Sequence, residues 1–163
     1  MPKLLNFTPK LAKAYDLSFE RNAILPLIMA KGADQLLVSS KYEERENSGV
    51  IRNYGNMLVD LTAIVPDGMV CFFTSLQYMQ HVIVKWHEMG FLMKILENKL
   101  IFIETRDSNE TMLALENYRK ACDTGRGAVF FALARGKVAK GVEFNKHYGR
   151  CAIVFGVPFS NLV

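Results

Sequence analysis

The sequence is poor in cysteine, with only Cys71, Cys122 and Cys151 among its 163 residues. None of them belongs to a C-x-x-C pair, and no histidine lies at zinc-finger spacing from any of them. An odd number of widely separated cysteines argues against a disulfide framework and against a zinc site. Each cysteine lies among apolar or small residues, which predicts buried free thiols and a reducing compartment.

Long apolar runs are also missing. The longest apolar stretches fall well short of the roughly 20 residues that a membrane-spanning helix needs, and the first residues lack the apolar core of a signal peptide. The net charge of +4 is a mild bias towards phosphate-rich partners and identifies none of them. Because half of the residues are hydrophobic and 22% are charged, we expect a soluble, globular, single-domain protein without membrane contacts.

Several motifs of nucleotide or hydrolytic chemistry are absent. The P-loop pattern fails because Val138 follows Gly136-Lys137 where serine or threonine is needed, and because Phe131 occupies the first glycine position. The dinucleotide-binding pattern fails because Gly125-Arg126-Gly127 precedes a predicted strand rather than a helix. There is no HExxH motif and no G-x-S-x-G nucleophile elbow. The sequence therefore predicts no metal site and no complete catalytic site.

Short apolar runs alternate with helical patterns along most of the chain. Apolar runs predict strands at 35–42, 69–73, 100–104, 127–133 and 152–155, while Pro26 restricts residues 22–30 to an edge strand or a bulge. Helical spacing predicts helices at 48–65, 76–89 and 110–122, with a further short helix at 91–97. The helix at 110–122 is predicted to bury Met112, Leu115 and Tyr118. This alternation predicts an α/β fold with a mainly parallel sheet and right-handed crossovers.

Polar and basic side chains follow three of the predicted strands, in the stretches 74–75, 104–106 and 134–137. Because the carboxyl ends of parallel strands meet at one edge of a sheet, we expect these stretches to converge there. Hydroxyl groups, N–H groups at helix N-termini and basic side chains suit phosphate oxygens. The pattern alone is equally compatible with Ala134 to Gly141 being an ordinary solvated loop, and the Glu143 carboxylate beyond it could bind a sugar hydroxyl or a cation.

Ten short stretches, in this order, resemble the XPD-type superfamily 2 DNA helicases and span almost the whole chain. They are RNYG (52–55), VPDG (65–68), FFTSLQYM (72–79), FIET (102–105), RKAC (119–122), GRGA (125–128), ARGKV (134–138), GVEF (141–144), HYGR (147–150) and FGVP (155–158). The resemblance implies a three-layer RecA-like domain with a mainly parallel sheet flanked by helices. Residues 1–163 would be most of the second motor domain, with motif VI and the first motor domain lacking.

The resemblance also implies roles for individual residues. Residues 72–79 correspond to motif IV, and residues 134–144 correspond to motif V, which touches both DNA and nucleotide across the cleft between the motor domains. The residues implied to bind DNA are Thr74, Ser75, Tyr78 and Lys137. The residues implied to bind the nucleotide or couple it to DNA are Arg135, Gly136, Gly141 and Glu143.

Two residues of motif V depart from the family pattern. Glu143 occupies a position where the family usually has aspartate, which keeps the carboxylate but changes its reach, and small misplacements are costly at such sites. Lys140 stands where the family usually has glutamate, so the charge is reversed. We expect any altered coupling between nucleotide and DNA to originate at these two residues.

The family implies an activity and a setting for the intact protein. It would be an ATP-dependent 5′-to-3′ DNA helicase that acts in the nucleus within the transcription and repair factor TFIIH, in nucleotide excision repair and transcription initiation. ATP and Mg²⁺ would bind mainly to the first motor domain, and an iron–sulfur cluster only to the N-terminal half. Single-stranded DNA and TFIIH core subunits would be partners, and this chain alone would be inactive. The alternative is a non-catalytic nucleic-acid or protein-docking module with a RecA-like fold.

Overall fold

A computed structural model describes residues 24–39 and 41–157 of the chain, together with the isolated positions 8 and 13. The strands in this part of the chain are Gly68–Phe73 (β1), Leu100–Ile103 (β2), Ala128–Leu133 (β3) and Cys151–Phe155 (β4). The α-helices are Ser48–Ile64 (α1), Leu76–Glu88 (α2), Phe91–Asn98 (α3), Ser108–Asp123 (α4) and Lys137–Gly141 (α5). Short 3₁₀ turns occupy Tyr42–Glu44 and Lys146–Gly149.

The described strands form one parallel sheet in the order β2-β3-β1-β4. Helices α1, α2 and α3 pack on one face of this sheet, and α4 packs on the other together with α5. The expected three-layer α/β fold with a mainly parallel sheet is confirmed. Among the helices that the structure describes, none combines the length and the apolar character needed to cross a membrane.

The two central strands are buried on both faces, and this explains their continuous apolar runs. Along β1, Met69, Cys71 and Phe73 face the layer of α1 to α3, while Val70 faces α4. The neighbouring strand β3 alternates in the same way, because successive side chains of a strand point to opposite faces.

The first layer packs around Trp86 of α2, whose side chain is fully buried. Its ring lies 5.6–6.3 Å from the ring centroids of Phe73, Phe131 and Phe155. The indole N–H donates a hydrogen bond to the carbonyl oxygen of Ile51 in α1 (2.9 Å), so the polar atom of this buried ring is satisfied. This contact joins α2 to α1 as well as to the sheet.

The second layer packs around Tyr118 of α4, which is also fully buried. Its ring makes edge-to-face contacts with Phe102, Phe130 and Phe144. Its hydroxyl donates to the carbonyl oxygen of Tyr148 (2.5 Å) and lies 3.3 Å from that of Met69. Burial raises the pKa of this hydroxyl above the ordinary tyrosine value, so it remains a donor even at alkaline pH.

Helices α1 to α4 begin within two residues of their predicted starts. Asn47 caps α1, with its Oδ1 accepting from the N–H of Gly49 (2.9 Å), and Asp107 caps α4 in the same way through Asn109 (2.7 Å). Such caps satisfy N–H groups that have no partner within the helix. The inward face of α4 differs from the prediction, since Thr111 lies inward and Met112 is 56% exposed. Leu115 and Tyr118 are buried as expected.

The predicted strand at 35–42 is wrong within the residues that the structure describes. Residues 35–39 lie outside every strand, and one antiparallel bridge joins Leu37 to Lys31. The chain turns here because the Oδ1 atom of Asp34 accepts from the N–H of Leu36 (3.0 Å) and because Gln35 has a φ of 63°. Residues 24–30 form no strand either, while positions 22, 23 and 40 lie outside the described residues.

The Tyr118 hydroxyl gives a test of the second layer. We expect Tyr118→Phe to lower the free energy of unfolding by about 1–3 kcal/mol, because it leaves the buried carbonyl oxygen of Tyr148 without its donor. Urea unfolding measures this loss. The matched control is Tyr148→Phe, which removes a hydroxyl that donates to the exposed Asp123 carboxylate and should cost less. Equal losses in the two variants would contradict the assignment.

Candidate functional site

The carboxyl ends of the four described strands lie at one edge of the sheet. Phe73 of β1 is in register with Leu133 of β3 and with Phe155 of β4. The chain continues this alignment beyond the strands, because the N–H of Ala134 donates to the carbonyl oxygen of Phe73 (2.9 Å). The stretches after β1, β2 and β3 therefore leave the sheet side by side, and their predicted convergence is confirmed.

The stretch after β1 leads directly into α2. Ser75 caps this helix, since its Oγ atom accepts from the N–H of Tyr78 (3.2 Å). The positive end of the helix dipole is thereby directed to the edge of the sheet. The Oγ1 atom of Thr74 is shielded from solvent and has no hydrogen-bond partner among the described residues. Thr74 and Ser75 thus both lie at this edge, Ser75 as the cap of the helix and Thr74 with its hydroxyl shielded.

Tyr78 occupies a different environment from Thr74 and Ser75. It is only 9% exposed, and its ring makes an edge-to-face contact with Phe73 at 6.2 Å. The guanidinium of Arg45 lies 5.5 Å from the ring centroid, within the range of a cation–π interaction. Burial, with a smaller contribution from Tyr54, raises the pKa of Tyr78 to about 12. The ring belongs to the first layer of the core, which disfavours a direct contact with DNA.

The stretch after β2 begins with Glu104, a buried carboxylate for which the sequence predicts no specific role. Its Oε2 atom accepts from the N–H of Leu133 (2.8 Å), and its Oε1 atom accepts from the N–H of Lys137 (3.0 Å). Glu104 thus connects the end of β2 to both ends of the turn that follows β3. An acidic residue that ends a buried strand is a sequence signal, but the partners become visible only in the fold.

The stretch after β3, residues 134–141, is here called the coupling loop. Its second half is not a loop, because Lys137–Gly141 forms the short helix α5, which buries Val138 against the second layer. The apolar contact of Val138 attaches this helix to the core. The basic, glycine-flanked sequence around Val138 does not reveal that contact. The prediction of a loop over Ala134 to Gly141 is therefore wrong in its second half.

The basic side chains of the coupling loop are presented to solvent. Arg135, Lys137 and Lys140 are all exposed. The ammonium group of Lys137 also donates a hydrogen bond to the hydroxyl of Ser108, at the first turn of α4. The loop thus carries positive charge close to the start of one helix and beside the stretch that follows β2.

The two glycines of the coupling loop have different surroundings. A side chain on Gly136 would lie far inside van der Waals contact of the Glu104 carboxylate, whereas a side chain on Gly141 would meet open space. A side chain at position 136 would therefore push the Glu104 carboxylate out of its place. Glu143 follows α5 as an exposed residue, and no described contact draws its carboxylate to Thr74 or Ser75.

A small cleft of about 140 Å³ opens at this edge. It lies between the first turns of α2, at Leu76 and Met79, and the chain that leaves β2, at Glu104 and Arg106. In the described part of the chain, no group of three or more His, Cys, Asp or Glu side chains could hold a metal ion. What the edge offers is hydroxyl groups, helix N–H groups and cationic side chains, and these bind anions.

Gly136 provides a test of the packing at this edge. We expect Gly136→Ala to lower the free energy of unfolding by about 1–3 kcal/mol, because the new methyl group overlaps the Glu104 carboxylate. We expect Gly141→Ala to change it by less than about 1 kcal/mol, because that site is open. Thermal and urea unfolding of the two variants measure the difference, and a Gly136→Ala variant as stable as Gly141→Ala would refute the close contact.

Comparison with known proteins places these features among helicases. The family described as Helicase C-terminal domain matches residues 58–163. The general transcription and DNA repair factor IIH helicase subunit XPD of Arabidopsis thaliana is 54% identical over 158 residues, which cover 97% of this chain and 21% of that protein. The protein of the same name from Dictyostelium discoideum is 52% identical over 159 residues, or 98% of this chain and 20% of that protein.

A solved structure titled XPD helicase is similar in fold. It aligns with a TM-score of 0.53 at 19% identity, over 78% of this chain and 20% of that chain. At this identity the similarity supports the fold alone. The chain spans about a fifth of the length of the curated relatives it matches.

Proposed function

The chain belongs to the helicase C-terminal domain family, and on that premise we propose that it is the second motor domain of an ATP-dependent 5′-to-3′ DNA helicase of the XPD type. The observation that supports this most is the meeting of Thr74, Ser75 and the coupling loop at one edge of the sheet. One edge can then contact DNA through one set of groups and a nucleotide through another. In this proposal residues 1–163 are part of a longer protein.

The proposed DNA contacts are to the phosphate backbone. The hydroxyls of Thr74 and Ser75, the N–H groups of the first turn of α2 and the ammonium of Lys137 all bind phosphate oxygens well. Such contacts carry no base-sequence information, which suits a motor that moves along any strand. Because Tyr78 lies on the buried side of α2 and packs on Phe73, we assign it a supporting role in the core rather than a direct contact with DNA.

The proposed nucleotide contacts lie in the coupling loop. We assign Arg135, Gly136, Gly141 and Glu143 to the cleft between the two motor domains, where a guanidinium can pair with phosphate oxygens in a bidentate manner. ATP and Mg²⁺ would be held mainly by the first motor domain, and positioning with electrostatic stabilisation would supply most of the catalysis. Lys140 and Glu143 are the residues at which coupling in this chain would differ from the family.

We also propose the cellular setting that the names of the relatives suggest. The Arabidopsis and Dictyostelium proteins are named as helicase subunits of a general transcription and DNA repair factor. By this similarity the protein would act in the nucleus with TFIIH core subunits, in nucleotide excision repair and transcription initiation. An iron–sulfur cluster would belong to the N-terminal half of the longer protein.

Binding of single-stranded DNA tests the proposed edge. We expect Lys137→Ala to weaken binding of a fluorescent oligothymidylate and to reduce the slope of log K against log salt by about 0.7, the loss of one phosphate contact. Anisotropy titrations at several salt concentrations measure both quantities. The matched control is Lys120→Ala, which removes an exposed lysine from the last turn of α4, at the opposite edge of the sheet. Equal effects of the two substitutions would contradict the proposal.

The isolated chain should not hydrolyse ATP. It lacks a phosphate-cradling P-loop, and its described residues form no carboxylate cluster for a metal ion. We expect no DNA-stimulated phosphate release above that of the Lys137→Ala variant in a coupled-enzyme assay. DNA-dependent hydrolysis by the chain alone, lost on that substitution, would overturn the assignment of the nucleotide site to another domain.

A further inference from the structure

The strongest feature without an assigned role is the buried carboxylate of Glu104. The residue is 3% exposed, although an ionised carboxylate is rarely buried without partners. Here both oxygens accept backbone hydrogen bonds, Oε2 from Leu133 and Oε1 from Lys137. Leu133 is the last residue of β3 and Lys137 is the first of α5. The carboxylate therefore holds the coupling loop at its entrance and at its turn into α5.

Gly136 supports the same arrangement independently. A Cβ atom on Gly136 would lie well inside van der Waals contact of the Oε1 atom of Glu104, so any side chain there would displace the carboxylate. The N–H of Gly136 donates to the carbonyl oxygen of Leu133 (2.9 Å), which closes the turn over the carboxylate. The turn lies against the Glu104 carboxylate and is hydrogen-bonded to it at Leu133 and at Lys137. The position of the loop therefore depends on that one side chain.

The chain that carries Glu104 is itself held firmly. The buried hydroxyl of Thr111 accepts from the N–H of Thr105 (3.1 Å) and donates to the carbonyl oxygen of Asp107 (2.8 Å). Ser108, which follows Asp107, accepts a hydrogen bond from the ammonium of Lys137. The connection between β2 and α4 thus fixes both the backbone and the side chain of Lys137.

We propose that Glu104 is the positioning residue of the coupling loop. Its carboxylate fixes the distance between the loop and the end of the sheet. By holding the loop, it determines the positions at which Arg135 and Lys137 contact nucleotide and DNA. This inference rests on the proposed function of the coupling loop. Glu104 acts through the backbone of the loop and touches neither ligand.

The test compares Glu104→Gln with Thr62→Val. Glutamine keeps the shape of the side chain and can accept one N–H, but its amide group turns a donor towards the other N–H. Thr62 is also 3% exposed and lies away from the carboxyl edge of the sheet. Its hydroxyl donates to the carbonyl oxygen of Val59 (2.7 Å) and accepts from the side-chain amide of Asn98 (3.2 Å). Both substitutions remove hydrogen bonds of a buried side chain, and only Glu104→Gln should affect the coupling loop.

The first measurement is hydrogen exchange of the chain, resolved by NMR at single amides. We expect Glu104→Gln to raise the exchange rate of the Leu133 or Lys137 amide at least about tenfold relative to a strand amide such as Phe130, since local opening is easier without the bond. Thr62→Val should leave this ratio unchanged. Unchanged protection in Glu104→Gln overturns the proposal.

The second measurement is ATP hydrolysis by the full-length protein that carries this chain. We expect Glu104→Gln to lower the ratio of DNA-stimulated to DNA-free turnover about fivefold or more, because small displacements of reacting groups are costly. Thr62→Val should preserve the ratio even if it lowers stability. Raised exchange with an unchanged ratio gives Glu104 a purely structural role and overturns the proposal. A wild-type protein that DNA does not stimulate overturns the proposed function instead, and the exchange measurement still tests the hold on the loop.

Two further variants, Gly136→Ala and Glu104→Asp, test the proposal if Glu104→Gln does not fold. Gly136→Ala displaces the loop from the opposite side and takes the place of Glu104→Gln in the exchange measurement, and Glu104→Asp takes its place in the hydrolysis measurement. In addition, Glu104→Asp withdraws the carboxylate by one methylene group and makes room for a methyl group at position 136. The double variant should therefore lose less stability than the sum of the single losses. Simple additivity would contradict the contact on which the proposal depends.

Discussion

The parallel pairing of β1 with both β3 and β4 is the constraint on which the rest of the structure depends. Parallel neighbours cannot be joined by a tight turn, so the chain must cross over a face of the sheet between them. The helices that make these crossings cover both faces and bury β1 and β3. Every strand then ends at the same edge, and polar residues far apart in sequence meet there. Fold and candidate site are thus two consequences of one pairing.

The edge combines groups held by the core with groups exposed to solvent. Glu104, Gly136 and Val138 are fixed by hydrogen bonding, close approach and apolar burial. Arg135 and Lys137 extend outward from that base. This division keeps the backbone of the edge fixed while its exposed side chains remain able to adjust. Rigidity of a site comes from the groups beneath the contacts rather than from the contacts themselves.

Much of the fold could be predicted from the sequence because its strands are strongly apolar and the two central ones, β1 and β3, are buried on both faces. The runs at 69–73, 100–104, 127–133 and 152–155 are continuous and apolar, and each is a strand within a residue or so of its predicted bounds. The prediction of a strand at 35–42 failed because the chain turns at Asp34 and Gln35 and, among the described residues, pairs only with its own residues just before the turn. Helix α5 was missed because its one buried residue, Val138, is hidden among basic residues and glycines. The role of Glu104 depends on backbone N–H groups 29 and 33 residues away, which no local pattern reveals.

The single tryptophan has a consequence for how the protein can be observed. Trp86 is enclosed by aromatic rings of the first layer, and its indole N–H bonds to α1. An indole in such dry surroundings emits at shorter wavelengths than one in water. Intrinsic fluorescence therefore follows the docking of α1 and α2 on the sheet. The opposite layer, built around Tyr118 and connected to the coupling loop through Val138, contains no tryptophan, so its movements need a reporter of their own.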